Sequence, residues 1–579
     1  DFQHLQIFKE SLTMKLPVLS LTLLLTVLGC FARTESRLER QGTATRLIVD
    51  EKPFIIIGGE TGNSMASSAE DVTRCLQIAE NHGYNTVLFP VAWELIEPRE
   101  GEFDFTSVDD IIRLAGERDI KVGLLWFGVW KNSMSCYTPD WFKKDTRRFP
   151  RARTRSGKPL EIASAFSQEV FDADASAFTR LLDHIARTDT AGTVIIMQIE
   201  NEIGMLEDAR DHSPAARKEY DKGVPSDLIS HLNKNKKSLH PQLLGKWQDA
   251  GMKQKGSWTE VFGDDIHTDE IFMAWNYARY VEGLARKARE IFPTMPLYVN
   301  AAMNSRGRQP GEYPSAGPLA HLKDVWHAAA PTIDFLSPDL YDNGFKDWVG
   351  KYALPDNPLF IPEIKCDQPN AAQLHYVVGH HNAIGLCPFA FNNRKDAAYQ
   401  KKGTEQLRSL IPLIGEHLGK GSMEGFYFDA DSTVSVTDRD GLRITAKHFF
   451  TLPWDPRATD GSQWPAAGGI MLRLSPMEYL VAGSGLVVTF EPSDAKAQTE
   501  KALGEDGFLA SGSDRQSQAD GKWQGKRIGL ASVKQVAVNE DGSFRTIRTL
   551  NGDETHQGRH IRIGVDDFEI LHVRLYEYE

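Results

Sequence analysis

From residue 53 to about 395 the chain alternates short apolar runs with helical patterns. The runs are Phe54–Gly58, Thr86–Val91, Val122–Phe127, Thr193–Ile199, Leu297–Asn300, Ile333–Ser337, Leu359–Glu363 and Leu386–Phe391. Each is continuously apolar rather than alternating, as strands buried on both faces of a parallel sheet are. Helical spacing over Ala69–His82, Val108–Arg118, Asp172–Arg187, Thr268–Ile291 and Ala397–Leu418 lies between them. Eight such runs with intervening helices predict an α/β fold, a (β/α)8 TIM barrel. A doubly wound sheet is the alternative, weakened because no glycine-rich phosphate loop follows the first run. Two long loops, Gly128 to about Ala163 and Met205 to about His267, are expected to open onto the C-terminal face, where barrel active sites sit.

After about Gly419 the apolar period becomes two. Val434/Val436, Ile470/Leu472/Leu474, Leu486–Phe490, Val536–Val538, Phe544–Thr546 and Ile570–Tyr578 read as strands, with Asp541-Gly542 and Asn551-Gly552 as hairpin turns. A C-terminal β-sandwich-like domain over 421–579 is expected after a catalytic barrel over 51–420. Residues 33–50 are expected to be a linker. Met14-Lys15 followed by the apolar stretch Leu16 to Gly29 reads as a signal peptide over 14–32. Its end, Val27-Leu28-Gly29-Cys30, resembles a bacterial lipoprotein box and makes Cys30 a possible lipid anchor; ordinary cleavage after Ala32 is the rival. On either reading the protein is expected to be exported, to the periplasm or outer membrane. Residues 1–13 read as an upstream extension outside the fold.

The composition is that of a globular chain, with 41% hydrophobic and 25% charged residues. A net charge of −13 argues against nucleic acid as a partner. Of five cysteines none forms a CxxC pair, so a structural zinc site is not expected, and buried free thiols are. No metal or organic cofactor is implied, and oligomeric state is not legible.

The strongest chemical signal is Gln198-Ile199-Glu200-Asn201-Glu202 at the end of the fourth run. Strongly polar side chains after Val194-Ile195-Ile196 are costly in a core but useful at a catalytic rim. Glu363 ends the seventh run. Strands four and seven come from opposite parts of a barrel wall, so both carboxylates can converge across its mouth. One can protonate a departing glycosidic oxygen while the other attacks the anomeric carbon; in the retaining geometry the two stand about 5–5.5 Å apart. If the strand stays regular, Glu200 is expected to point opposite to Glu202 and make structural hydrogen bonds. Glu60, Glu94 and Glu97 near strands one and two either bind sugar hydroxyls or bridge to basic side chains. Of Trp93, Trp126, Trp130 and Trp141, one or two are expected to line a sugar site.

These segments carry a family resemblance. Asn201-Glu202 on strand four with Glu363 on strand seven resembles the clan A glycoside hydrolases. Gly58-Gly59-Glu60, Asn85-Thr86-Val87, Trp93 with Glu97-Pro98, Gly101-Glu102-Phe103-Asp104-Phe105 and Gln198 to Gly204 resemble glycoside hydrolase family 35, the β-galactosidases. The resemblance implies a retaining, exo-acting β-galactosidase with Glu202 as acid/base, Glu363 as nucleophile, Asn201 on the sugar 2-hydroxyl and Tyr341 orienting the nucleophile; Tyr341 also reads as a packing aromatic. Glu60, Trp93, Trp126 and Trp130 complete the expected carbohydrate site. The family's usual residues are replaced at Thr61-Gly62-Asn63, Trp93-Glu94, Leu125-Trp126-Phe127-Gly128 and Ile364-Lys365-Cys366. That pattern is similar to a divergent bacterial branch associated with galactose side chains of plant polysaccharides such as xyloglucan. Other clan A β-glycosidases (glucosidase, mannosidase or arabinosidase) and a non-catalytic carbohydrate-binding barrel are the alternatives.

Overall fold

The computed structural model describes residues 35–304, 306–394, 397–429, 432–452, 455, 464–493 and 525–579. The expected leader, Cys30 and the upstream extension lie outside the described residues. Among the described residues no helix is long and apolar enough to cross a membrane.

All eight apolar runs become strands of one closed parallel barrel: β1 (Ile56–Glu60), β2 (Thr86–Ala92), β3 (Lys121–Lys131), β4 (Val194–Asn201), β5 (Leu297–Ala302), β6 (Phe335–Leu340), β7 (Phe360–Ile364) and β8 (Gly385–Pro388). Their order around the barrel is their order in the chain. Alternation splits each strand between two cores. Ile56, Leu88, Leu125, Phe127, Ile196, Tyr298, Phe335 and Phe360 fill the barrel's interior. Residues of opposite parity, such as Trp126 and Met197, pack outward against the helices. Ser68 and Ser167 cap the helices Ala69–Asn81 and Gln168–Thr188 by accepting from Asp71 and Val170 N–H, which satisfies otherwise unpaired donors.

The expected linker is folded from Arg37 onward. Arg37–Gln41, Ala44–Val49 and Lys52–Phe54 form a three-stranded antiparallel sheet. Leu47 and Val49 belong to the same apolar cluster as Ile56, Ile196, Tyr298 and Phe360, so this sheet closes the N-terminal end of the barrel. Ser36 Oγ donates to Ile195 O at 2.6 Å, and Thr43 N–H donates to Gly419 O at 3.0 Å. The apolar pattern Leu47-Ile48-Val49 was the signal of this role.

The two long loops carry structure of their own. β3 runs to Lys131, past the expected end at Phe127, and is followed by the helix Asp140–Lys144 and the hairpin Arg151–Arg153/Pro159–Ala163. The second holds the short helices Pro214–Tyr220, Ser226–Lys234, Pro241–Asp249 and Trp258–Phe262.

Beyond the helix Ala398–His417, a six-stranded and a four-stranded antiparallel sheet form the expected sandwich. Phe426, Phe428, Ile444, Val481, Val488, Ile561 and Val573 make their shared core. The opposite face of the six-stranded sheet, with Ile470, Leu472 and Ala482, joins the barrel core. Gly425 faces the helix Asn370–His381 so closely that a Cβ there would stand 2.4 Å from Tyr376 O. Asp541-Gly542 makes its hairpin, with Val538 paired to Phe544. Asn551-Gly552 does not: it opens a 3-10 turn over Gly552–Thr555, because the next strand, Ile561–Ile563, pairs with Leu486–Val488 in the other sheet. Cys75, Cys136, Cys366 and Cys387 are free thiols.

Leu47 is 1% exposed at the barrel floor. Leu47→Ala is expected to cost about 2–5 kcal/mol by opening a cavity there. Denaturant unfolding should show that loss; an unchanged midpoint would remove the floor role assigned to the sheet.

Candidate active site

The strand ends at the C-terminal mouth converge on a buried acidic centre. Glu202, Asp339 and Glu363 each place a carboxylate oxygen so that all three lie within 4.8 Å of one another. The first and last are the two carboxylates expected from strands four and seven. Asp339, at the end of β6, was not anticipated, although it follows an apolar run just as Glu363 does. Among the described residues these three form the one His/Cys/Asp/Glu group close enough to share a cation.

The backbone that delivers Glu202 is irregular. Glu200 and Glu202 have φ of 59° and 45°, the left-handed region that non-glycine residues rarely adopt. The β3–β4 pairing shifts register here, and Lys131 pairs with Asn201. In a regular strand residues two apart share a face. The two left-handed residues break that rule, so Glu200 does point away from Glu202, as expected, but through strain rather than alternation. Asn132 N–H and Ser133 N–H donate to the carbonyls of Asn201 and Glu202, and Glu202 N–H donates to Asn300 Oδ1 at 3.0 Å. Such a fixed frame offsets the cost of strained backbone.

Glu200 works on the outer side. It accepts from Val129 N–H at 3.2 Å and Trp130 N–H at 2.7 Å, tying β3's extension to β4. Asp174 lies beside it and accepts from Trp126 Nε1 at 2.9 Å and Tyr280 OH at 2.7 Å. Burial, then the Asp174 charge, push the Glu200 carboxyl well above the usual range. A Cβ at Gly128 would stand 2.7 Å from Glu200 Oε1 and 2.8 Å from Asp174 Oδ1, so only glycine leaves room for this pair.

The tryptophans are where the sequence reading fails. Trp93, Trp126 and Trp130 are fully buried. Trp126 lies between Leu125 and Phe127 on β3; those two fill the barrel, so Trp126 faces outward, against Phe178. Trp93 donates to Glu97 Oε2 at 2.8 Å and packs on Trp126, Trp141 and Phe142. Trp130 packs edge-on against Tyr277 and Tyr280. All three belong to the wall behind the barrel, not to a sugar site. Glu97 shares that role, accepting also from Gly101 N–H, and Glu94 pairs with Lys143 at 3.1 Å.

At the mouth itself Tyr341, 46% exposed, donates its hydroxyl to Glu363 Oε1. Asn132 Nδ2 donates to Glu202 Oε2. Asn300 Nδ2 donates to Asp339 Oδ2 at 2.7 Å, so one Asn300 amide links Asp339 to the Glu202 backbone. Glu60, at the end of β1, is 1% exposed. Burial, then the Glu363 charge, push its carboxyl well above the usual range, and the nearby Lys131 cation opposes this. Burial, then Glu363, Glu202 and Glu60, do the same to Asp339. The Glu363 carboxyl is pushed up to about 7 by burial and then by Glu202, while Lys131 and the Tyr341 hydrogen bond pull it back. Polar atoms of Gln198, Asn201, Glu60 and Ser337 are buried here without protein partners. Each costs free energy until a polyhydroxylated ligand or water pairs with it. Asn300, Lys131 and Asn132 were missed by sequence; Asn300 carried the strand-end signal, whereas the other two lie where a loop was expected.

Residues 46–256 match the family model described as Glycosyl hydrolases family 35, and residues 401–562 match a domain of unknown function, DUF5597. A curated Beta-galactosidase of Xanthomonas manihotis is 30% identical over 204 residues, which are 34% of this chain and 31% of that one. The chain thus spans about a third of that relative's length. Among solved structures, a beta-galactosidase from Rahnella sp. R3 shares 15% identity over 62% of this chain and 57% of that one, with a TM-score of 0.43. A beta-mannanase from the blue mussel Mytilus edulis shares 14% over 65% and 97%, with a TM-score of 0.37.

Folding raises the Glu363 pKa, so this group's stabilising contribution is present below its unfolded value, about 4.3, and is lost as pH rises through about 7. Glu363→Gln escapes that loss. Its Tm should exceed the wild-type value by a few degrees at pH 8 and by less at pH 5; a margin absent at pH 8, or one that widens on acidification, would contradict the burial and charge crowding assigned here. Over residues 46–256, the stretch that carries Asn201 and Glu202, the chain bears the sequence signature of the glycosyl hydrolases of family 35.

Proposed function

We propose that this protein is a retaining, exo-acting β-galactosidase that removes terminal β-galactose from oligo- or polysaccharides, with plant cell-wall side chains such as those of xyloglucan as candidate sources. The observation that carries the reading is the pair Glu202 and Glu363, on β4 and β7, with carboxylate oxygens within 4.8 Å. A pair this close is in keeping with the retaining geometry, in which the second carboxylate attacks directly. The leader expected over 14–32 supports an exported enzyme, with Cys30 as a candidate anchor.

In this mechanism Glu363 attacks the anomeric carbon as a carboxylate. The bond to the departing oxygen breaks, and that oxygen takes the proton held by Glu202. Water then attacks the glycosyl–Glu363 ester; Glu202 takes the water's proton, and Glu363 leaves as a carboxylate. Two facing carboxylates favour a single shared negative charge, which suits one nucleophile and one acid. Tyr341 orients Glu363 and stabilises its ionised form. Asn201, whose amide is buried without a partner, is suited to the 2-hydroxyl, a contact that strengthens in the transition state. Glu60 and Lys131 lie beside Glu363, where sugar hydroxyls would give Glu60 its missing partners.

A panel of aryl glycosides tests the sugar. β-Galactoside should turn over fastest, and Glu363→Ala and Glu202→Ala should each lose activity by orders of magnitude, about 10²–10⁴-fold for the proton-transfer role alone. Faster turnover of glucoside, mannoside or arabinoside would move the reading to another clan A activity, and near-normal rates in either variant would reject the roles. The pH profile tests the nucleophile. As pH falls through about 7, kcat/KM should drop, because Glu363 must be ionised. Tyr341→Phe removes a donor to the ionised form and should shift that acid limb to higher pH; a limb that stays or moves down would separate Tyr341 from the nucleophile's ionisation.

A further inference from the structure

The catalytic pocket does not end at the acidic centre. The cavity lined by Glu202, Asp339 and Tyr341 is also lined by Met303, Asn304, Arg308 and Tyr313. Those same four residues line a second cavity of about 200 Å³, which is large enough for one sugar ring. Its remaining walls come from His240, His267, Leu319, His321, Trp348 and Lys351 among others. The two spaces therefore share a wall, and the first of them holds Glu202, the group assigned to protonate the departing oxygen.

The chemistry of the second space is opposite to that of the first. Among the described residues lining it none is acidic, in a chain whose net charge is −13. Arg308 and Lys351 are both exposed and bring permanent positive charge. The Lys351 ammonium stands 3.5 Å from the centre of the Trp348 ring, which holds cation and aromatic face on one wall. The nearest carboxylates have partners of their own. Glu270 accepts from Tyr313 OH and from Ala316 N–H, and it lies 3.0 Å from His321 Nε2. Asp324 accepts from His240 N–H at 2.8 Å and pairs with Lys323 at 3.2 Å, and Asp342 pairs with Arg306. Burial and then His321 hold the His240 pKa down to about 4, so this ring offers a neutral hydrogen-bonding group beside the permanent charges of Arg308 and Lys351. His267 Nδ1 is buried without a partner. The space thus combines an aromatic side chain, the neutral His240 imidazole and two cations, one of them a planar fork matched to a carboxylate.

We propose that this second cavity is a leaving-group subsite for a sugar that bears a carboxylate, a uronic acid. It rests on the glycosidase reading and narrows it: the preferred substrates are glycosides of acidic saccharides rather than of neutral ones. The sugar's carboxylate meets the Lys351 ammonium, held over the Trp348 face, and the Arg308 guanidinium. Selection then acts through the leaving group, leaving the glycone to the acidic centre.

Two β-galactosyl disaccharides of the same linkage make the test, one ending in glucuronate and the other in its uncharged methyl ester. The wild-type kcat/KM is expected to favour glucuronate by about tenfold, the size of one charge-assisted hydrogen bond. The ratio should fall toward one in Lys351→Gln and at high ionic strength, which screens exposed charges. A wild-type ratio of one or less, or a ratio unmoved by Lys351→Gln, overturns the proposal. Saturation-transfer NMR with free D-glucuronate and D-glucose reads the cavity without any hydrolysis: glucuronate should bind in preference to glucose in wild type but not in Lys351→Gln. Should no galactoside be cleaved, that preference would keep the subsite while the galactosidase reading falls; its absence would remove the subsite whatever the glycone.

Discussion

Everything at the barrel mouth follows from holding several carboxylates together in a small, largely buried space. Glu60, Asp339 and Glu363 are nearly inaccessible, and each is pushed upward in pKa by burial and by its acidic neighbours. Such a cluster opposes folding unless protons, cations and hydrogen-bond donors are supplied. Lys131 and Asn132 at the end of β3, Asn300 on β5 and Tyr341 just past β6 supply them. The closed sheet makes this possible, because every strand delivers its last residues to one small ring.

The surrounding wall carries the remaining cost. Left-handed backbone at Glu200 and Glu202 is held by hydrogen bonds from β3's extension, and Glu200 itself is the anchor of that extension. The two glutamates, two residues apart, thus do different work. One builds the wall with Asp174 and the indole of Trp126, and the other faces the ligand space. Below them, the N-terminal sheet seals the floor through Leu47 and Val49. On the side, the sandwich rests against the helix Asn370–His381 at a glycine contact.

The barrel was legible because eight continuously apolar runs are hard to accommodate in any other way, and the sandwich because period-two alternation marks half-buried strands. The floor sheet was missed because Arg37–Gln41 is polar, and such a half-buried edge gives little hydrophobic signal. At the site, Glu202, Glu363 and Tyr341 were legible from strand ends and family motifs. Asp339 and Asn300 had the same strand-end signature but no motif to raise them above it. Lys131 and Asn132 were hidden because β3 continues beyond its apolar core. The tryptophans misled for a physical reason: sugar platforms and buried wall residues have the same composition, and only the parity of β3 shows that Trp126 faces outward.

The proposed mechanism requires Glu363 to form the covalent bond to the sugar. Incubation with a 2-deoxy-2-fluoro-β-galactoside carrying an activated leaving group, followed by peptide mass spectrometry, reads that bond directly. One fluorosugar on the peptide that contains Glu363, absent from the Glu363→Gln protein, is the predicted result. A label on Glu202, Asp339 or Glu60 instead, or an inverted product released with no label at all, would contradict it.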